Sequence, residues 1–394
     1  MKQINQFITE YIIKKKLETP INSEDHYDYY PKTKDELIEN LNELISKDIY
    51  DFNCIDTSNI TDMSHLFDMT LKKLIKHNLR FVNFDISDWN VSKVENMEYM
   101  FYDCKNFDCD LSKWNVSNVI SMSSLFNGCK NFEGKGLDKW DVSNVKYMNG
   151  LFYRCSNFNY DLSNWNVSNV ETMENMFTYC PIFDCDLSKW NVSNVKYMNN
   201  MFGNCSKFNC DLSNWNVSNV KDMSSMFYIC ESFKGKGLDK WDVSKTIWMN
   251  IMFYKCKNLD CDLSKWNVSN VKNMSNMFNQ CIKFNCKLSN WDVSNVEDMN
   301  GMFTLCKNFE GEGLENWNVS KVKNMSYMFC NCYNFNSDLS NWKIDKCEDF
   351  NRIFANCKNF NFEYVESWGK NIKTHANKDN MFYSMKNKPS WYEE

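Results

Sequence analysis

The sequence predicts an α/β fold: a leucine-rich-repeat-like solenoid of 25–26-residue coils, each a short helix plus a short parallel strand, with a helical N-terminal cap. Three observations predict it. Tryptophan recurs at 89, 114, 140, 165, 190, 215, 241, 266, 291, 317, 342 and 368, always 25 or 26 residues apart. Cysteine follows each of the first eleven by fifteen residues, from Cys104 to Cys357. Valine, methionine, phenylalanine and leucine hold fixed places between them. Self-similarity at such a period marks a one-dimensional repeat protein, whose units bury their apolar faces only against their neighbours.

With the ladder tryptophan as position 0, valine stands at +2, methionine at +8, phenylalanine at +12 and +18, and leucine at +22. Apolar residues at +8, +11, +12 and +15, as in Met173, Met176, Phe177 and Cys180, have the i, i+3, i+4, i+7 spacing of one helix face. Positions +18, +20 and +22 alternate, as in Phe183, Cys185 and Leu187, which predicts a strand with one buried face. A helix of about two turns is marginal alone, so stacking must hold it. A dozen coils at ~4.8 Å spacing would reach roughly 60 Å. Three units are a residue longer, through Gly134-Lys135-Gly136, Gly235-Lys236-Gly237 and Gly311-Glu312-Gly313, where glycine lets the chain bulge without losing register.

Four segments follow. Residues 1–54 are a helical N-terminal cap, with amphipathic helices expected at 3–17 and 34–47; Thr33 and Glu36 have capping-box spacing for the second. Residues 55–88 are a degenerate first coil, in which Ile55 replaces tryptophan and an insertion lies around 68–82. Residues 89–367 are an eleven-coil solenoid. Residues 368–394 are a C-terminal cap, where only Met381-Phe382 keeps the pattern, out of register.

The composition is 43% hydrophobic and 24% charged, enough apolar material for a core, and the net charge of −6 gives no basic field for nucleic acid. No apolar run is long enough to cross a membrane. Met1–Leu17 is broken by Lys14, Lys15 and Lys16, has no cleavage site, and is not a secretory leader. The first cysteine is Cys54, so no N-terminal lipid-anchor cysteine is present. A cytoplasmic or intracellular location is expected.

The nineteen cysteines contain no C-x-x-C pair; buried reduced thiols are the expected state, ahead of disulfides or a metal. Position +1 is asparagine in seven units and aspartate in three. Asn-Val-Ser matches a glycosylation sequon, but aspartate fills the same slot, so closing a turn is the shared chemistry. Aspartates before leucine (Asp110, Asp161, Asp186, Asp211, Asp262 and Asp338) form a row that caps turns or, less simply, ligates calcium; Lys287 interrupts it. No P-loop, G-x-G-x-x-G, H-E-x-x-H or G-x-S-x-G occurs. The four histidines (His26, His65, His77 and His375) lie outside the main array, so no catalytic, cofactor or metal residues are assigned.

The unit from Phe158 to Cys180, F-N-x-D-L-S-x-W-N-V-S-N-V-x-x-M-x-x-M-F-x-x-C, resembles the BspA-like leucine-rich-repeat surface proteins, also called the mycoplasma lipoprotein-associated repeat family. The lead-in Pro31 to Leu37 and the segment Ile55 to Met63 look like that family's entry. The match spans about 31–360. The resemblance implies a leucine-rich-repeat-like solenoid, a role in adhesion or partner binding, no catalytic residues, and the cell surface as the alternative location.

Function in a solenoid lives on its variable positions, here +6, +7, +9, +10, +13 and +14. They hold many aromatics, which dominate interface hot spots. Trp248 is the in-array tryptophan off the ladder. With Tyr228, Tyr254, Ile247 and Ile251 it forms the candidate surface for a protein partner; Ile229 extends it. The alternatives are a structural or self-associating assembly element, or a carbohydrate-binding surface adhesin. Lys245-Thr246 replaces the usual Asn-Val just before Trp248, so a different turn is expected there, with Trp248 folded over the defect as the competing role.

Overall fold

Each coil is built from consecutive β-turns. In the Trp89 coil, the N–H groups of Met100, Tyr102 and Cys104 donate to the carbonyls of Met97, Tyr99 and Phe101 at 3.2, 3.1 and 3.0 Å. Tyr99 and Asp103, the third residues of the first and last of these turns, have φ of 56° and 60°, the sign a type II turn requires. Positions +10 and +14 are left-handed in every coil from Trp89 to Trp342. The computed structural model from which this geometry comes describes residues 27–68, 79 and 82–393. The helix expected at 3–17 lies outside them.

The described coils therefore contain no α-helix, which corrects the sequence expectation. A chain of type II turns also places residues three and four apart on one side, so Met97, Met100, Phe101 and Cys104 all point inward. Positive φ at two positions per coil excludes the α conformation. The parallel pairing lies elsewhere too. It runs not through +18 to +22 but through +7, as isolated bridges from Asp62↔Asn96 to Asp349↔Asn377. From +8 to +14 the N–H groups alternate in direction. Met97, Tyr99, Phe101 and Asp103 donate to Ser121, Ser123, Leu125 and Asn127 of the next coil at 2.7–3.0 Å, while the intervening N–H groups close the turns. The backbone donors are thus shared between coil and stack.

The core is a set of side-chain rows along the solenoid. Indole rings stack coil on coil, as in Trp140–Trp165 at 6.5 Å and 2°, and the +12 phenylalanines do the same, as in Phe126–Phe152 at 5.8 Å and 4°. Two rows are also tied by polar atoms. The Leu111 carbonyl accepts its own coil's Trp114 N–H at 3.1 Å and the next coil's Trp140 Nε1 at 3.2 Å. The Phe101 carbonyl accepts Cys104 N–H at 3.0 Å and the next coil's Cys129 thiol at 3.1 Å. Both lone pairs of the buried carbonyl are used each time, so neither of these carbonyls is left to penalise folding.

In the long units, Leu137–Lys139, Leu238–Lys240 and Leu314–Asn316 form single 3₁₀ turns. Gly136 enters the first with φ of 94°, and a Cβ there would strike the backbone of Ser112; only glycine fits.

Helix α1 (Lys34–Ser46) packs on the first coil with Leu37, Ile38, Leu41, Leu44 and Ile45 buried. The Thr33 hydroxyl accepts Glu36 N–H at 3.2 Å, and Lys34 Nζ donates to Ser64 and Asp62 at 2.9 and 3.2 Å. At the far end, Phe382 stacks on Phe354 at 5.6 Å despite the shifted register. Trp391 then repeats the hydrogen bond of the tryptophan row, while its ring meets Phe382 edge-on at 6.2 Å. Its Nε1 donates to Val365 O at 3.0 Å, as Trp368 Nε1 does to Leu339 O at 3.1 Å. Tyr392 Oη accepts Met381 N–H and donates to Lys378 O, both at 3.1 Å.

Candidate functional site

The polar side chains that repeat in every coil are occupied by the stack. Position +1 closes an Asx turn with either residue: Ser92 N–H donates to Asn90 Oδ1 at 3.1 Å and Ser143 N–H to Asp141 Oδ1 at 3.0 Å. Asparagine at +4 reaches the preceding coil, as Asn118 Nδ2 does to Ser92 O at 2.6 Å. The aspartates before leucine accept the N–H of the serine two residues on, at 2.9 Å in Asp161 and Asp186. Among the described residues, no group of three or more His, Cys, Asp or Glu is placed to hold a metal.

Two of these aspartates also pair with the glycine-flanked insertions: Lys135 with Asp110 at 2.7 Å and Lys236 with Asp211 at 2.8 Å. The Lys135 ammonium, hydrogen-bonded to Asp110, holds that carboxyl down at about 2. The third insertion carries Glu312, and it meets Lys287 at 2.5 Å. The lysine that interrupts the acidic row is therefore half of a charge-reversed pair. Reading G-K-G and G-E-G against the coil before each would have found it.

All nineteen cysteines are free thiols. The eleven at +15 are fully buried, and burial pushes each thiol well above its ordinary range. A thiol must ionise to react, so these should resist labelling in the native protein and become reactive together on unfolding. Mass-spectrometric counting of labelled thiols without denaturant tests this. Rapid modification of most of the eleven contradicts it.

What varies lies on the turn face. Trp248 is 42% exposed at +7, on the same row as Tyr147 and Tyr197. Its backbone stays in the parallel ladder, bridging Asp222 and Asn273. Ile247 beside it is half-buried. Tyr228 and Tyr254 are brought together as a stacked pair, 5.3 Å between ring centres, with Lys255 Nζ 5.4 Å from the Tyr254 ring centre. Ile251 sits between, with φ of 63°, and Ile229 in the coil before has φ of 58°. The turn preceding Trp248 is unchanged. Thr246 N–H donates to Val243 O at 2.9 Å, as Val145 does to Val142 at 3.0 Å, and the buried Thr246 hydroxyl donates to Val220 O at 3.0 Å. The hydroxyl itself satisfies the site.

Fold and surface together define a repeat solenoid: constant inward rows, constant turn-closing polar groups, and a variable outward face. The chain belongs to the family described as "Mycoplasma protein of unknown function, DUF285", which matches it in four overlapping stretches, 36–138, 121–238, 222–313 and 287–392. That agrees with the mycoplasma-repeat kinship read from the motif. Among solved structures, a TLR13–ssRNA13 complex is similar at 13% identity and a TM-score of 0.20, over 86% of this chain and 67% of that one. An LRR protein of Leptospira interrogans is similar at 9% identity and a TM-score of 0.19, over 78% and 92%. No curated protein matches the chain. Among the described residues, no helix is long and apolar enough to cross a membrane.

Proposed function

We propose that this protein is a non-enzymatic repeat scaffold that holds a protein partner on the turn face of the coils between 220 and 256, with Trp248 as the anchor and Tyr228, Tyr254, Ile247 and Ile251 around it. The observation that carries the reading is backbone strain beside an exposed indole. Left-handed φ in a β-branched residue is a genuine outlier, and two neighbouring coils place isoleucine there, at Ile229 and Ile251. Elsewhere the same positions hold asparagine or glycine, as at Asn175, Asn200, Asn276 and Gly301, or side chains unbranched at Cβ, as at Arg154, Tyr179 and Leu305; among the described residues these two isoleucines are the β-branched cases. Strain of this kind collects at functional sites, and large exposed aromatics supply interface hot spots. The adhesion role implied by the BspA-like resemblance is one form of this function.

The test compares Trp248→Ala and Ile251→Asn with the unaltered protein, in affinity capture from the native source and in thermal melts. Trp248→Ala should lose the captured partner, at a cost of about 2 kcal/mol or more in binding, with little change in Tm. Ile251→Asn should raise stability by about 1–2 kcal/mol, because asparagine relieves the left-handed strain, while weakening capture. A lowered Tm for Trp248→Ala with capture intact makes Trp248 a packing residue and removes the assignment.

A further inference from the structure

We propose a second binding site, an open groove from the coil of Trp165 to that of Trp241 that takes a neutral oligosaccharide. Gly203 shapes it. Position +13 carries a side chain in the other coils, including Tyr153, Thr178, Tyr228 and Tyr254, and glycine only in the coil of Trp190. Its backbone is not left-handed, so the turn does not require glycine there. A Cβ at 203 would collide with Oδ1 of Asn200. The missing side chain therefore lets the Asn200 amide lie along the coil, where its Nδ2 donates to Asn175 Oδ1 at 2.8 Å. These two amides border a groove of about 400 Å³, within the range of small-ligand sites.

The lining selects the chemistry. The floor is made of amides and hydroxyls, including Asn175, Asn200, Asn204 and Ser225, and Tyr179 and Tyr228 stand as walls. No charged side chain lines it; the Arg154 guanidinium stands outside the lining, 5.7 Å from the Tyr179 ring centre. Amides and hydroxyls both donate and accept, as sugar hydroxyls do. Tyr179, 45% exposed, offers a flat ring to the C–H face of a pyranose. The floor also has an unmet acceptor. At the equivalent position two coils earlier, Asn149 Oδ1 accepts the Thr172 hydroxyl at 2.5 Å and Glu174 N–H at 3.2 Å. Beside Asn199 the residue matching Thr172 is Asp222, itself an acceptor, which takes the N–H and hydroxyl of Ser224 at 2.8 and 2.6 Å. Asn199 Oδ1 is left shielded and without a donor, so an Asn199 amide that turns outward to a ligand hydroxyl gives up no bond at that oxygen. Left-handed turns hold Asn175, Tyr179, Asn200 and Asn204 in place, so little ordering is lost on binding.

The site goes beyond the partner surface, although Tyr228 and Ile251 border both. The full chain is screened against an array of neutral and charged oligosaccharides, and the best neutral hit is titrated by calorimetry. Gly203→Ala drives the Asn200 amide from its place in the lining through the collision with its Oδ1, and Tyr179→Ala removes a ring from the lining without touching the core. Each should weaken the neutral glycan at least about tenfold, the effect of one lost contact, with Tm unchanged. Trp248→Ala should leave glycan affinity intact, which separates this site from the partner surface. Retention of no neutral glycan, binding of charged glycans or extended peptides alone, or affinity unmoved in both groove variants overturns the proposal.

Discussion

Above about pH 9 the protein should unfold over a narrow pH interval. The eleven thiols at +15 are fully buried, and burial raises the pKa of each in the folded state. In the unfolded chain they titrate near about 8.5. Between those limits the folded state holds more protons than the unfolded one, so stability falls as pH rises. Each protected thiol loses roughly 1.4 kcal/mol for every pH unit above its unfolded value. The eleven acting together exceed about 10 kcal/mol within one unit, the scale of an ordinary domain's whole stability. Circular dichroism followed from pH 7 upward under anaerobic conditions reads the transition. Replacing Cys205 and Cys230 by alanine should make it shallower. A fold that persists well past pH 10, or a slope indifferent to those substitutions, contradicts the account.

Trp266→Ala should cost about 3–5 kcal/mol, the usual range for emptying a large aromatic site. Trp266 is 1% exposed. It stacks between Trp241 and Trp291 at 6.5 and 6.4 Å, and its Nε1 donates to Leu238 O at 2.7 Å. The loss falls at the boundary between adjacent coils, where a solenoid's cooperativity resides. The urea transition should therefore shift to lower denaturant and broaden as the two halves of the array uncouple. Trp266→Phe keeps a ring but loses the donor, and should cost nearer to about 1 kcal/mol. A single sharp transition for Trp266→Ala, displaced by less than that, would argue that the row is not cooperative.

The inward face of the coil was legible in the sequence because each row repeats one side chain, and identity at a fixed period needs no knowledge of the backbone. The backbone itself was not legible from the same spacing. Met97, Met100, Phe101 and Cys104 face inward on a helix and on a chain of type II turns alike, and only the sign of φ separates the two. A clue existed in the variable residues: Gly128, Gly150, Asn175, Asn200, Asn204 and Gly301 all stand at +10 or +14, and these are the residues that accept left-handed backbone. Trp391 escaped notice because it comes 23 residues after Trp368, outside the 25–26-residue register. On the candidate surface, the pairing of Tyr228 with Tyr254 followed from their common position. The strain at Ile229 and Ile251 did not, since it depends on the turn conformation that the spacing concealed. The groove beside Gly203 was hidden for another reason: its lining comes from residues 175 to 251 in four coils and acquires a shape only once those coils are stacked.

The alternation of donors between turn and stack has a mechanical consequence. When the two ends are pulled apart, load along the axis falls on the bonds between coils, such as Tyr99 N–H to Ser123 O at 2.9 Å. A coil peeled from the end keeps only its own turn bonds and has no helix to fall back on, so it gives way entirely. Each such event releases about 25 residues, or roughly 85 Å of contour length at 3.3–3.6 Å per residue. Under tension the solenoid behaves as a ratcheted tether, lengthening in equal steps from its ends while the coils between remain intact.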